Sequence, residues 1–249
     1  MSDFVLLFLA GLLAGSMNAL AGGGSFVSLP ALISVGVPSV TANATSTLAL
    51  FPGGVASSWV YRNGVGNVCG VGVLPIAVAT ILGGVVGSVL LLLTPTTLFD
   101  AILPWLLLIA TVMLAAGPQL STRLRTHIHP GVMVVAPIQF ALGVYGGYFG
   151  GAVGLMMLAA WSALGGGDIK TLNPTRMVMV TAANAVAVVV FVVAGAIEWT
   201  QCVPMIVGAV AGGWAGAHIG RKLPPPAIRA LTLATAVLTT AVFFGRAYF

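Results

Sequence analysis

The sequence predicts an all-α membrane protein: two inverted structural repeats of about five hydrophobic segments each, with Gly-rich helix breaks. Three observations predict it. First, hydrophobic residues make up 59% of the 249 positions and charged residues 5%, and the mean hydropathy is +1.12. A soluble domain usually carries about 25% charged residues, so lipid is the solvent for most of this chain. Second, the chain is written twice. Pro75 stands eight residues before Gly83-Gly84-Val85-Val86-Gly87, and Pro204 stands eight residues before Gly212-Gly213-Trp214-Ala215-Gly216, an offset of 129. Gly15 and Gly22-Gly23 recur as Gly143 and Gly150-Gly151 at offset 128, and Asn43-Ala44-Thr45 is echoed by Asn173-Pro174-Thr175 at offset 130. Third, the basic residues sort to one side when ten segments cross in alternation. An internally duplicated apolar chain suggests a transporter whose site lies where its repeats meet.

The elements follow in order. Segment 4–21 opens the chain. Its Ala19-Leu20-Ala21 resembles a signal-peptide cleavage site, but Asp3 stands where a basic n-region is required and the repeat runs through the supposed cut. Segment 25–36 follows Gly22-Gly23-Gly24. Twelve helical residues reach about 18 Å, against a hydrocarbon core of roughly 30 Å, so this piece reads as a half-helix, a re-entrant element or a short span. Segment 42–61 opens at Asn43-Ala44-Thr45-Ser46. Segment 71–93 contains Gly83, Gly84 and Gly87, whose spacing suits close helix packing. Segment 98–117 closes the first half, repeat 1 at 1–117. The linker 118–130 is the longest polar stretch. Repeat 2, at 131–249, offers 131–149, the short 152–165, then 175–195, 201–220 and 228–245. The whole chain 1–249 forms a single integral membrane transport domain.

With an outer N-terminus and ten crossings, Arg62, Arg123, Arg125, Lys170, Arg176, Arg221, Lys222 and Arg229 fall inside. Arg246, Asp3, Asp100 and Glu198 fall outside. That is the positive-inside distribution, and an odd number of crossings per half inverts one half relative to the other. The net charge of +5 is scattered between apolar segments, which does not fit a nucleic-acid surface.

Several residue types exclude or invite chemistry. Cys69 and Cys202 fall near opposite faces in this topology, too far apart for a disulfide. His127 and His129 form an H-x-H pair in the linker with no Cys or carboxylate nearby in sequence, so a solvated linker is the simpler reading than a metal site. No protease or hydrolase motif occurs, and four acidic residues are too few for a cation pathway. The expectation is no enzyme, no cofactor and no metal.

The candidate site gathers at the repeats. The runs Gly22-Gly23-Gly24-Ser25 and Gly150-Gly151 interrupt helices, and a helix restarting after each break turns its N-terminal amides toward a cavity, which favours an anion. Asn43, Thr45 and Ser46, with their echo Asn173, Thr175 and Arg176, offer hydroxyls and one guanidinium fork, a donor set that suits an oxyanion. Helix capping by the Asn and Thr residues, and topology-setting by Arg176, are the competing readings. Asn18 and Asn184 sit inside apolar segments near these positions and are candidates to line the cavity. Ser16, Ser57, Ser58 and Gln139 read as interhelical hydrogen-bonders. His218, beside Arg221 and Lys222, is either interfacial or a proton-coupling group.

A family resemblance rests on the same residues. Gly15-Ser16-Met17-Asn18-Ala19-Leu20-Ala21-Gly22-Gly23-Gly24-Ser25, Leu29-Pro30-Ala31-Leu32, Gly36-Val37-Pro38, Ala42-Asn43-Ala44-Thr45-Ser46 and Tyr61-Arg62-Asn63-Gly64, in that order, resemble the TauE/SafE family of sulfite exporters. Gly143-Val144-Tyr145-Gly146-Gly147-Tyr148-Phe149-Gly150, Gly195-Ala196-Ile197-Glu198-Trp199 and Gly212-Gly213-Trp214-Ala215-Gly216-Ala217 resemble its second repeat. The chain departs at Ser46-Thr47, where some relatives carry Asn-Lys. The resemblance implies a secondary transporter exporting a small anion such as sulfite or an organosulfonate, multi-pass in the bacterial inner (plasma) membrane. Uptake of a related anion such as thiosulfate, and a non-transporting scaffold subunit, are the alternatives. The expected partners are a small anionic substrate and the lipid bilayer, with no nucleic acid; small-residue helix faces are compatible with a homodimer.

Overall fold

The computed structural model describes residues 2–123, 131–165, 169–220 and 225–248. These are almost entirely helical: α1 (Ser2–Ala21), α2 (Ser25–Ser34), α3 (Ser39–Tyr61), α4 (Val73–Leu93), α5 (Thr96–Arg123), α6 (Val132–Tyr148), α7 (Val153–Ala163), α8 (Ile169–Val193), α9 (Trp199–Gly220) and α10 (Pro225–Tyr248). A 3₁₀ turn at Arg62–Gly64 extends α3, and an isolated bridge pairs Val68 with Val71. Among the described residues, Asp3–Leu20, Val73–Leu93, Thr96–Ala116, Thr171–Val193 and Ala230–Tyr248 are long and apolar enough to cross a membrane. The chain is a multi-pass membrane protein. Its exposed surface fits that solvent: Leu74, Leu93, Met133, Val193 and Trp214 lie open, where lipid rather than water would cover them.

The ten expected segments correspond to the ten helices, with three differences at their ends. Asn43 and Asn173 do not open the third segments. α3 begins at Ser39 behind Pro38, and α8 begins at Ile169, so both Asn residues lie in the second turn, past the N-cap positions of their own helices. Pro174 sits inside α8; a bilayer bundle tolerates such a proline because neighbouring groups re-satisfy the freed carbonyl. The linker was expected from 118, but α5 continues through Arg123; polarity alone does not stop a helix once it emerges into water. Residues 124–130, including His127 and His129, lie outside the described residues.

Two helix pairs are sealed by glycine. On α1 and α9, a Cβ at Gly208 would strike the Phe8 carbonyl, one at Gly212 the Leu12 carbonyl, and one at Gly15 the Ala209 carbonyl. On α4 and α6, a Cβ at Gly83 would strike the Phe140 carbonyl, at Gly87 the Val144 carbonyl, and at Gly147 the Gly84 carbonyl. Lipid tails give helices no hydrophobic reason to associate, so close backbone approach and its dispersion gain do that work. The close-packing account therefore holds for Gly83, Gly84, Gly87, Gly212 and Gly216, but not for Gly213, where a Cβ would meet only the Gly15 carbonyl at 3.9 Å.

The same contacts give directions. Phe8, Leu12 and Ser16 meet Gly208, Gly212 and Gly216, so α1 and α9 run parallel. Thr80 and Gly84 meet Gly143 and Gly147, so α4 and α6 run parallel too. Thr80 reaches Met179 and Gly84 lies against Ala183, so α4 is parallel to α8. Gly64 abuts Pro174, Ser58 bonds Thr181, and the sites of Gly150 and Asn184 adjoin Thr47, so α3 and α8 are antiparallel. Thr111 pairs with Thr240 while Ala101 accepts from Tyr248, so α5 and α10 are antiparallel. Because α6 and α8 share one direction, the short α7 between them returns the chain.

Between these helices the core is apolar, with Phe26, Leu29, Leu32, Phe99, Leu103, Leu107, Phe149, Phe191 and Met205 fully or almost fully buried. Beside α4 and α6 one buried polar chain is closed: Trp161 Nε1 donates to Gln139 Oε1 at 3.0 Å, and Gln139 Nε2 donates to Thr80 Oγ1 at 2.7 Å. Cys69 and Cys202 are both buried and free.

Candidate functional site

The site is built by two helix interruptions facing two long helices. α1 stops at Ala21 because Gly22 adopts φ +79°, its N–H falling back on the Met17 and Asn18 carbonyls at 3.2 and 3.1 Å. α6 stops the same way: Gly150 adopts φ +75° and its N–H reaches the Tyr145 carbonyl at 3.3 Å. A left-handed residue is the usual helix terminator, and glycine adopts it without steric cost. The chain then restarts as α2 at Ser25 and as α7 at Val153. Ala152, the N-cap of α7, is itself left-handed at φ +56°, a conformation that costs an L-residue about 1–2 kcal/mol. The first turns are already partly bonded, Phe26 N–H to the Gly23 carbonyl at 3.2 Å, Val27 N–H to that of Gly24 at 3.0 Å and Leu155 N–H to that of Ala152 at 2.9 Å, so what both short helices bring is chiefly the positive end of a dipole where they begin.

Between these starts and the middles of α3 and α8 lies a cavity of about 70 Å³. Asn18, Gly22 and Ser25 line it from the first interruption, and Gly150, Val153, Gly154 and Leu155 from the second. Thr47, Leu50 and Gly54 line it from α3, and Arg176, Met177, Val180, Thr181 and Asn184 from α8. The i, i+3, i+7 spacing of Thr47, Leu50 and Gly54 is one helix face, as is that of Met177, Val180 and Asn184.

Its electrostatics are one-sided. Arg176 is the charged group in the lining, and no Asp or Glu contributes to it among the described residues. Arg176 Nη2 points at Met177 Sδ, 2.9 Å away. Its Nε is buried with no hydrogen-bond partner, and so is Asn184 Oδ1. The room for the guanidinium comes from Gly154: a Cβ there would lie 3.3 Å from Arg176 Cδ and Nη1. Thr181 donates to the Gly54 carbonyl at 3.1 Å and accepts from Ser58 at 2.7 Å, tying α8 to α3 at the cavity's edge.

Of the residues expected in the site, Asn18, Gly22, Ser25, Gly150, Arg176 and Asn184 converge here. The others do not line it. Asn43 donates to the Tyr148 carbonyl at 2.9 Å. Thr45 accepts from the Glu198 N–H at 3.0 Å. Ser46 pairs with Ser28 at 2.6 Å. Thr175 holds both backbone groups of Gly66 at 3.0 Å. Gly23 lies against Thr232, Gly24 against the Ala14 carbonyl and Gly151 against the Phe149 ring. Asn173 is half-buried beside Pro174. Thr47, Gly54 and Thr181 were missed. Thr47 is the next residue after the motif; the cavity-facing stripe of α3 is Thr47, Leu50 and Gly54, while Thr45, two residues back, faces roughly the opposite way. Ser57, by contrast, bonds back to Gly53.

Comparison with known proteins identifies the family. The profile of the family described as "Sulfite exporter TauE/SafE" matches residues 7–243. The chain belongs to the TauE/SafE family. Relatives include a "Probable membrane transporter protein ORF9" from Sinorhizobium, 28% identical over 93% of this chain and 90% of its own length. A "Probable membrane transporter protein" from Haemophilus influenzae is 26% identical over 95% and 92%. The "Probable membrane transporter protein YfcA" of Escherichia coli is 26% identical over 90% and 84%. No solved structure is significantly similar. The TauE/SafE match makes the chain a membrane transporter by family.

Proposed function

We propose that this TauE/SafE protein is a secondary transporter that exports a small anion, sulfite or an organosulfonate, across the bacterial inner membrane. The observation that carries the reading is the buried, unpartnered Nε of Arg176 in a cavity to which no carboxylate contributes among the described residues, at the starts of two short helices. An unpaired buried charge is costly, so its retention fits a ligand of opposite sign. Intramembrane ionisable groups lining a cavity are functional by default. The arginine sits seven residues inside α8 and the cavity's centre lies near the middles of α3 and α8, the depth at which repeat transporters hold substrate.

Two inverted repeats, with boundaries near 1–117 and 131–249, account for the packing. At offsets of 128 to 130, Thr47, Leu50 and Gly54 correspond to Met177, Val180 and Asn184, while Gly22 and Ser25 correspond to Gly150 and Val153. The α1–α9 contact corresponds to the α6–α4 contact, down to Gly15 against Ala209 and Gly143 against Thr80. The paired equivalents α3 with α8, and α5 with α10, run antiparallel, as a two-fold axis in the membrane plane requires. In this reading the Gly-rich interruptions before α2 and α7 are the two copies of one helix break.

Export of an anion from a cell negative inside is downhill by about 2.3 kcal/mol per charge at 100 mV, so the potential alone can drive it. The test is anion efflux from proteoliposomes under an imposed potential, for wild type and Arg176→Ala. Sulfur-oxyanion efflux that the variant loses, at unchanged membrane insertion, supports the reading. Wild-type efflux by Arg176→Ala removes Arg176 from the site, and absence of potential-driven efflux for every sulfur oxyanion overturns the export assignment.

A further inference from the structure

The cavity has two chemically opposite corners. At one, Arg176 offers donors: Nη1 beside Gly154 and the unpartnered Nε. At the other, the groups are acceptors. Asn184 Oδ1 is buried and unpartnered. Thr47 already donates its hydroxyl hydrogen to the Asn43 carbonyl at 2.9 Å, so the oxygen has lone pairs left to offer and no hydrogen. Both acceptors border the space a side chain on Gly150 would take: a Cβ built there would stand 3.4 Å from the Gly146 carbonyl oxygen, 3.9 Å from Asn184 Oδ1 and 4.0 Å from Thr47 Oγ1.

A fully deprotonated oxyanion satisfies the first corner and opposes the second, lone pair against lone pair. Arg176 and Asn184 are also eight residues apart on α8, about 12 Å of helix rise, so a single oxyanion group is poorly placed to serve both. We propose that the cavity selects a two-ended ligand: a monoanionic head on Arg176 and, at the other end of a short chain, a neutral hydroxyl donor on Asn184 Oδ1 and Thr47 Oγ1. An ω-hydroxysulfonate has this form and keeps its net negative charge. The assignment rests on the anion-transport reading above. It makes Asn184 and Thr47 specificity-determining residues. The single arginine sets the charge of the head, because the lining contributes no second cation among the described residues.

The experiment compares 2-hydroxyethanesulfonate with ethanesulfonate, which differ by one terminal hydroxyl, as ligands of the full-length protein in lipid. Binding is read by titration and, separately, by competition for transport. Wild type is expected to favour the hydroxylated anion at least about ten-fold, since ethanesulfonate leaves the buried acceptors unmet. The preference should collapse toward unity in Asn184→Leu and shrink in Thr47→Val, the second variant covering the case in which the first fails to fold. Equal binding of the two anions by wild type overturns the proposal. So does a preference that survives in both variants. Binding of inorganic sulfite but neither organosulfonate overturns the two-ended ligand and leaves the anion reading standing. Binding of no anion at all overturns both.

Discussion

Small residues serve opposite ends in two regions of this molecule. Along α1–α9 and α4–α6, glycines bring backbones together until no Cβ fits: Gly212 faces the Leu12 carbonyl and Gly87 the Val144 carbonyl. Where α3 and α7 face α8, Gly54 and Gly154 withhold a side chain, leaving room for a guanidinium and a cavity. The first use makes rigid pairs. The second makes a space between them. The difference teaches that glycine content alone does not mark a site; what lies opposite the missing Cβ decides.

The sharpest way to break this comparison is to add a methyl on the sealed side. Gly212→Ala and Gly87→Ala push a Cβ into backbone, which cannot rotate away. Overpacking of this kind costs about 1–3 kcal/mol, and here the upper end or beyond is expected. The check is the melting temperature and detergent-stable yield of each variant. A Gly212→Ala protein as stable as wild type would mean that α1 and α9 do not pack as described.

On the open side the expected effect falls on transport. Arg176→Ala should lower anion flux by roughly 30-fold or more, the consequence of losing a buried charge contact worth at least about 2 kcal/mol. Its melting temperature should hold or rise, because the unpaired buried charge is gone. Arg176→Lys keeps the charge but loses the planar fork, and should recover only part of the flux. A variant that loses stability and flux in proportion would make Arg176 structural.

How far the sequence reached differs between the same two regions. The sealed pairs were legible, because the Gly-x-x-x-Gly spacing of Gly83 and Gly87, and of Gly212 and Gly216, repeats at a fixed offset and has one physical meaning in lipid. The helices were legible for the same reason, since apolar runs of fixed length leave little choice. The cavity was half legible. Gly22, Gly150 and Arg176 declare themselves as breaks and as a charge in an apolar run. The echo of Asn43-Ala44-Thr45-Ser46 by Asn173-Pro174-Thr175-Arg176 singles out Thr45 and Ser46 and passes over Thr47. A helix turns about 100° per residue, so Thr45 and Thr47 face roughly opposite ways, and a motif read without its helix's orientation does not say which hydroxyl faces the cavity. Thr181 and Gly54 carry no sequence signal of their own, and become visible only once α3 and α8 are known to cross antiparallel.

The smallest effects provide the finest control, and they come from adjacent glycines on one helix. A Cβ on Gly54 would sit 3.2 Å from Thr181 Oγ1, pressing on the hydroxyl that ties α8 to the Gly54 carbonyl. Gly54→Ala should therefore reduce flux several-fold, roughly the consequence of weakening one hydrogen bond worth about 0.5–1.5 kcal/mol, with the largest share in apparent affinity. A Cβ on Gly53 would meet nothing within 4 Å. Gly53→Ala exchanges a poor helix former for a good one and should leave flux unchanged while stabilising α3 by about 0.5–1 kcal/mol. Measured together by flux titration and thermal melts, the two substitutions add the same methyl at neighbouring positions. If they behaved alike, the effect of Gly54 would belong to helix propensity and the α3–α8 contact would lose its role in shaping the cavity. If only Gly54→Ala impairs transport, the requirement lies in the face that α3 turns toward α8.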